Sequence, residues 1–499
     1  MNSQQRITFH TPLIILAGLC ASQIIGTLQV YQSNARLFQV ITAVKKAGYL
    51  AIPNDLVAPT LTSVKAAIMG GLFFTLSIGA GVTLLALLST WAWKYVCFRK
   101  PWLAIPFLLP WLAAVILINL RNTAILPSLY FTLVPAIVAL LTLKLTPATL
   151  DRSGLAWSFL HPIILLLLAI FWLAQYNPGM FSNIRDRLLL TNPPGIAFNT
   201  FYYRYTLYPA EVFKSLNQKM IKTCRVDGIS DAVVTRKVLS RLADRNYLVV
   251  QGADTVDLVF KAKHGKVELE NRGKVHIETS LTNFMDNPGH ILKSFSSKND
   301  GFLFFRQATF LSLLVGFPIV LYVAVSTLFY GLASLFLRPG RAAVLAGLLC
   351  LSAGCLMVFP VRSGMQNRIT PDRIPELLQS EKWQDNVDAL KALVSNKNRF
   401  PLKANASQLA ASPFIPVRYW LARSLAPSTG SKTYAVLMQL MDDPQPIVAC
   451  QALYSLGKRK ESQSIRIVLD KINQSSHWYV QWYGYNALRT LGWRQKSSI

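Results

Sequence analysis

The chain has 499 residues, of which 52% are hydrophobic and only 15% charged, and it carries a net charge of +28. It is too apolar for an ordinary soluble protein, where about a quarter of residues are charged, and long enough for two to four domains. Asp55 is the one carboxylate before Asp151, so the first third is almost free of them, as a lipid-embedded region should be. The excess of Lys and Arg fits an anionic membrane surface, or an anionic partner such as lipid head groups, an acidic glycan or nucleic acid.

A helix needs about 20 apolar residues to cross the hydrocarbon core. Seven stretches qualify, at roughly 11–30, 67–92, 102–119, 124–143, 158–176, 308–335 and 342–360. The first has no small-residue exit for cleavage and reads as a retained span. Between it and the second, an amphipathic segment from Ala35 to Leu50 carries Leu37, Val40, Ile41 and Val44 at helical spacing. It is expected to lie along the membrane surface or cap the bundle. The short basic turns at 94–100, around Lys144 and Arg152, and at 338–341 define one side, assigned as cytoplasmic. Residues 178–307 and 361–499 then both face outward. Two spans separate them, so they share a compartment whichever way the bundle points.

The membrane bundle is thus 1–177, with a loop at 31–66. A soluble domain at 178–307 follows, then two further spans at 308–360, then a C-terminal part at 361–499. The soluble domain opens with an aromatic cluster in which Phe198, Phe201, Tyr205 and Tyr208 share one helix face. Beside a span, such a face is expected to anchor at the membrane interface. Pro209 suits the first turn of a new helix. Residues 231–245 predict a helix with Val233, Val234, Val238, Leu239 and Leu242 inward. Strands are predicted at 247–250, 256–263, 266–270 and 274–280, with turns at His264-Gly265 and Asn271-Arg272-Gly273. This is an α+β domain. Its order resembles a winged helix over some fifty residues, with Arg236, Lys237 and Arg241 on the basic helix. Outside the cytoplasm there is no DNA to read, so nucleic acid is not the expected partner.

No catalytic constellation emerges. The histidines (His10, His161, His264, His276, His290 and His477) do not pair at metal-ligand spacing on a helix. His276 with Glu278, and Glu268 with Glu270, alternate on strands and can meet across a hairpin. They read either as a solvated polar face or as a metal or acid/base site. The six cysteines form no CxxC motif, and no phosphate-binding or dinucleotide loop is present, so no cofactor is expected. No Asp or Glu lies inside a span, which disfavours a proton-coupled carrier.

The C-terminal part repeats itself. Val417 to Ala426, Val448 to Gly457 and Tyr483 to Gly492 each end in Leu followed by Ala or Gly. A period of this size indicates stacked helical hairpins. Val417-Arg418, the acidic, proline-containing turn Asp442-Asp443-Pro444-Gln445-Pro446, Ala452 and Leu456-Gly457 resemble the HEAT-repeat family over about 412–492. The resemblance implies first helices at 416–426, 445–457 and 478–492, and second helices at 432–441 and 462–472. Val387, Leu390, Leu393, Leu402 and Leu409 suggest an earlier, degenerate pair. In that family the second helices usually line the binding face, which offers Gln439, Arg466 and Lys471 as partner contacts. The aromatic third unit, with Trp478 and Trp482, reads either as a packed cap or as a partner hot spot.

The expected protein is therefore mainly α and membrane-embedded, with about seven transmembrane helices, an inserted α+β domain and a HEAT-like solenoid. It is expected to be a non-enzymatic scaffold or adaptor in a bacterial inner membrane, touching lipid and recruiting a protein partner outside the cytoplasm. The alternative is a subunit of a lipid or polysaccharide export complex.

Overall fold

The computed structural model describes residues 3–121, 123–148, 152–251, 256–263, 265–358, 369–396, 406–428 and 430–495, with backbone alone at 3–9 and 152–159. His264 and Leu402 lie outside the described residues.

The membrane bundle is built from α1 (Ser3–Lys46), α2 (Val64–Phe74), α3 (Ala80–Tyr95), α4 (Ile105–Asn119), α5 (Ile125–Leu145) and α6 (Arg152–Leu173). A single π-helical turn at Thr75–Gly79 joins α2 and α3, which cross as one 32-residue rod. Gly18 faces Thr83 and Gly26 faces Gly71, so α1 runs antiparallel to that rod. Gln23 stitches the pair: its amide donates to the Ile68 carbonyl at 2.9 Å and its oxygen accepts from Thr75 at 2.7 Å. Lys94 donates to the Thr146 carbonyl at 2.9 Å, bringing the ends of α3 and α5 together.

Past α6, the chain forms α7 (Met180–Ile184), a π-helical turn at Arg185–Leu189, α8 (Pro193–Tyr205) and α9 (Leu207–Phe213). As expected, Pro209 falls in the first turn of α9. The sheet domain comprises β1 (Lys222–Asp227), α10 (Ala232–Ala243), β2 (Tyr247–Val249), β3 (Leu258–Lys263), β4 (Lys266–Asn271), β5 (Lys274–Ser280), α11 (Leu281–Asp286) and α12 (Pro288–Lys298). The sheet order is β2-β1-β3-β4-β5. β1 pairs parallel with both β2 and β3, while β3, β4 and β5 form an antiparallel meander.

Two corrections follow. The domain is not a winged helix, because α10 is the crossover between the parallel neighbours β1 and β2. The fifth strand, β1, is central and absent from the sequence reading, since Lys222 to Asp227 shows little apolar alternation. Val233 also departs from expectation: it is 63% exposed at the start of α10, whereas Val238 and Leu242 are fully buried.

Two more long helices follow, α13 (Leu303–Ala333) and α14 (Pro339–Leu356). Phe305 meets Phe74 with ring centroids 5.8 Å apart, and Gly316 lies against Gly81, so α13 runs parallel to the α2–α3 rod. A Cβ on Gly316 would stand 2.8 Å from the Gly81 Cα, so the two backbones approach as only small residues permit. The basic turns after α3, α5 and α13 therefore gather at one end of the bundle.

Among the described residues, six helices are long and apolar enough to cross a membrane: His10–Lys46, Val64–Tyr95, Pro101–Asn119, Ile125–Leu145, Leu303–Ala333 and Pro339–Leu356. The fifth expected span, α6, has a shorter described apolar run, Leu160–Leu173. It packs along α14, where Ile164 faces Gly347 and Leu168 faces Gly354.

The C-terminal part contains α15 (Ile374–Leu377), α16 (Trp383–Ser395), α17 (Ala406–Ala410), α18 (Ile415–Ser424), α19 (Ser431–Met441), α20 (Pro446–Arg459), α21 (Ser464–Gln474) and α22 (Trp478–Thr490). The first helices α18, α20 and α22 stack side by side. Val417, Leu421, Leu425, Leu453, Leu456 and Leu488 are fully buried between the layers. Val387, Leu390 and Leu393 of α16, with Leu409 of α17, extend the same core.

The amphipathic segment at 35–50 continues α1 without a break through Lys46. Val40 and Val44 of its stripe cover Leu248 and Val250 beside β2.

Candidate protein-interaction surface

The repeat array has two faces of opposite character. One is formed by the first helices and the loops before them, and the chain itself occupies it. The contact begins at Asp186, in the π-helical turn that follows α7. Asp186 is 0% exposed. Its carboxylate accepts from Trp420 Nε1 at 2.8 Å and pairs with Lys391 at 2.8 Å and Arg185 at 2.7 Å. The Arg185 guanidinium lies 3.9 Å from the Tyr419 ring centroid. Nearby, Arg187 pairs with Asp388 at 3.0 Å. Burial raises the Asp388 carboxyl, and Arg187 and Lys391 pull it back. A buried carboxylate held by two cations and an indole is strongly specified, because losing any partner strands a charge.

The aromatic helix makes the second contact. Tyr202 and Tyr203 lie against Tyr479, the latter pair 4.9 Å apart between ring centroids. Tyr479 shares a 2.8 Å hydrogen bond with Thr206. Tyr208 is buried, meets Trp478 edge-on at 5.1 Å and bonds Thr60 at 2.6 Å. Burial raises the Tyr203 and Tyr479 phenols, and pushes Tyr483 up to about 12. It also pushes His477, just before α22, down to about 4, with Arg204 adding to the shift.

The loop between α1 and α2 makes the third contact. Asn54 and Gln481 exchange two bonds: Asn54 N–H to Gln481 Oε1 at 2.9 Å, and Gln481 Nε2 to Asn54 Oδ1 at 2.7 Å. The Asn54 amide also caps the end of α21 through the Ile472 carbonyl at 2.8 Å. Gln495 does the same for Leu50, bonding its N–H and C=O at 2.8 and 2.9 Å. Finally, Tyr485 donates to Asn246 at 3.0 Å, and Arg494 pairs with Asp244 at 3.0 Å, which ties the array to the sheet domain.

The residues named from sequence therefore part company. Trp478 is 5% exposed and packs edge-on against Tyr208. Trp482 is half-buried against Tyr483. The aromatics of the α8 region also divide. Phe198 is 55% exposed, the Phe201 and Tyr205 rings meet at a tilt with centroids 5.0 Å apart, and Tyr208 turns inward, because the helix breaks at Thr206. Phe201 and Tyr205 are partly exposed.

On the other face, α19 and α21 present Gln439 and Arg466 to solvent. Lys471 bridges to the exposed Asp442 at 2.6 Å. Among the described residues, no group of three or more His, Cys, Asp or Glu could hold a metal ion. Glu268 and Glu278 do lie opposite each other across β4 and β5, but Glu270 pairs with Lys261 at 2.7 Å, and the His276 ring rests edge-on to Phe295.

Asp186, Asn54, Gln481 and Gln495 were missed in the sequence. One signal was available for Asp186: a lone carboxylate between Arg185 and Arg187, directly past a span.

Residues 402–489 match the family model for HEAT repeats. The C-terminal segment is a HEAT-repeat array, and such arrays generally mediate protein–protein binding. Comparison with curated proteins and with solved structures finds no match to the chain.

Proposed function

We propose that this protein is an integral membrane scaffold that recruits a protein partner through the outer, second-helix face of its HEAT-repeat array. Seven helices anchor it, α6 included. Both soluble parts stand on the same side, outside the cytoplasm, with the basic turns inside. The observation that carries this reading is the consumption of the array's inner face. Trp420, Trp478, Tyr479 and Gln481 are all engaged by the chain's own segments, which leaves α19 and α21 as the array's free helical surface. The basic surface of the soluble parts supports added contact with anionic lipid or glycan. The reading assigns no catalytic step.

The test replaces Gln439 and Arg466 together by Glu in the full chain, followed by co-purification in mild detergent. Any protein that accompanies the parent chain is expected to be lost from the variant, with the thermal midpoint unchanged. A partner that stays bound to the variant would rule out this face. Labelling an Arg466→Cys chain on intact cells checks the side: modification before lysis is expected, and modification only after lysis would invert the orientation.

A further inference from the structure

A groove opens at the basic end of the bundle, on the far side from the soluble parts. Its volume is about 410 Å³, and Arg338, Gly340, Arg341, Val344, Leu345 and Leu348 line it at the start of α14. On this helix Ala342 and Ala346 pack with Tyr330 and Ala333 of α13, and Gly347 faces Ile164 of α6. Arg341, Leu345 and Leu348 recur at helical spacing on the remaining side, and all three are exposed. In a bilayer this side meets lipid.

The depth of the groove fits a lipid head group above and an acyl chain below. α14 has 18 residues, about 27 Å of rise, against about 30 Å of hydrocarbon. Its first turn therefore stands at head-group level, where arginine heads reach phosphate while their stems stay in the apolar layer. From Arg341 to Leu348 the groove runs about 10 Å towards the middle of the bilayer, much of the roughly 15 Å of one leaflet. The turn between α13 and α14 suits the same level. Leu335 is 73% and Phe336 86% exposed, just ahead of Arg338. Such side chains are costly in water and favourable at the acyl boundary.

Charge selects among lipids. Neither arginine takes part in an ion pair among the described residues, and residues 308–360 contain no Asp or Glu. The three basic turns at this end, 94–100, 144–152 and 338–341, hold seven basic residues against one acidic, Asp151. Guanidinium groups grip phosphate oxygens through paired N–H donors. A choline head group brings its own cation to the two arginines, whereas a glycerol head group does not. A second copy, in the same orientation in the bilayer, presents the same basic end at this depth and is repelled.

We propose that the groove along the first half of α14 holds one anionic phospholipid. Its phosphate sits between Arg338 and Arg341, and an acyl chain follows Val344, Leu345 and Leu348. The site requires only that the bundle crosses a bilayer and is independent of the partner face of the repeat array.

The test is native mass spectrometry of the full chain in mild detergent, titrated with dioleoylphosphatidylglycerol or with dioleoylphosphatidylcholine. One tightly held phosphatidylglycerol is expected, with phosphatidylcholine bound about tenfold or more weakly. Arg338→Gln with Arg341→Gln, both at exposed positions, should bring the first lipid down to the affinity of the second. The thermal midpoint in lipid-free detergent should not move. Leu345→Trp, which fills the apolar part of the groove, should weaken both lipids. The same loss of charge at the turn after α3, Arg99→Gln with Lys100→Gln, should leave binding as it is. Equal affinity of the parent chain for the two lipids would overturn the proposal. So would an equal loss on changing Arg99 and Lys100, which would reduce the site to the diffuse field of the basic end. A parent dimer that Leu345→Trp dissociates would overturn it too, by giving the groove to a second copy.

Discussion

The inner and outer faces of the repeat array come from the same helical hairpins, yet they are built on opposite terms. The inner face holds a buried carboxylate, reciprocal amide bonds and stacked tyrosines, all satisfied within the chain. The outer face carries Gln439 and Arg466 in solvent and one exposed ion pair, Lys471 with Asp442. The first-helix face is thus committed to the chain's own segments around Asn54, Asp186 and Tyr203.

This contrast is sharpest at Asp186. Asp186→Ala would leave Lys391 and Arg185 beside an empty buried site, a loss of about 3–5 kcal/mol. Thermal unfolding of the full chain in detergent should show it, together with a red shift of Trp420 emission. Asp186→Ala with an unchanged midpoint would mean the inner face is not a true core. Next in size is Gly457, where a Cβ would stand 2.9 Å from the Ala487 Cα between α20 and α22. Gly457→Val should cost about 1–3 kcal/mol through overpacking. Asn54→Ala belongs in the same range, because it removes the side chain that accepts from Gln481 Nε2 and donates to the Ile472 carbonyl at the end of α21. Limited proteolysis of the α1–α2 loop would report it.

A smaller effect depends on pH. His477 has a native pKa of about 4 against an ordinary 6.5. Between those values the unfolded chain takes up a proton that the native site refuses. Stability should therefore fall as pH drops from 6.5 towards 4, by at most about 1.4 kcal/mol per unit, and the contribution should vanish above 6.5. His477→Gln should flatten that slope in midpoint-versus-pH curves. Smallest of all, Gln439→Ala and Arg466→Ala should shift stability by less than about 0.5 kcal/mol. A large shift there would erase the distinction between the faces.

Helical periodicity made the array legible in advance, down to helix limits within two or three residues, because Leu425, Leu456 and the acidic turn at Asp442-Asp443 are local signals. The spans were legible for the same reason. The inner face was not. Its partners come from positions 54, 186, 203 and 208, far from the array in sequence, and apart from the lone carboxylate at Asp186 nothing local marks them. Trp478 shows the limit well: an aromatic in a terminal repeat looks the same in sequence whether Tyr208 or another protein covers it. β1 was hidden differently, since a central parallel strand that carries Lys222, Arg225 and Asp227 lacks the alternation that marks β3 to β5.

Under the proposed function the chain occupies one face of the array and a partner occupies the other. Photo-crosslinking in native membranes tests it directly, with a benzophenone amino acid placed in turn at Gln439, Arg466 and Trp478. The account predicts adducts to a second protein from positions 439 and 466, and only intrachain products from 478. Adducts to a second protein from 478, with none from 439 or 466, would contradict it.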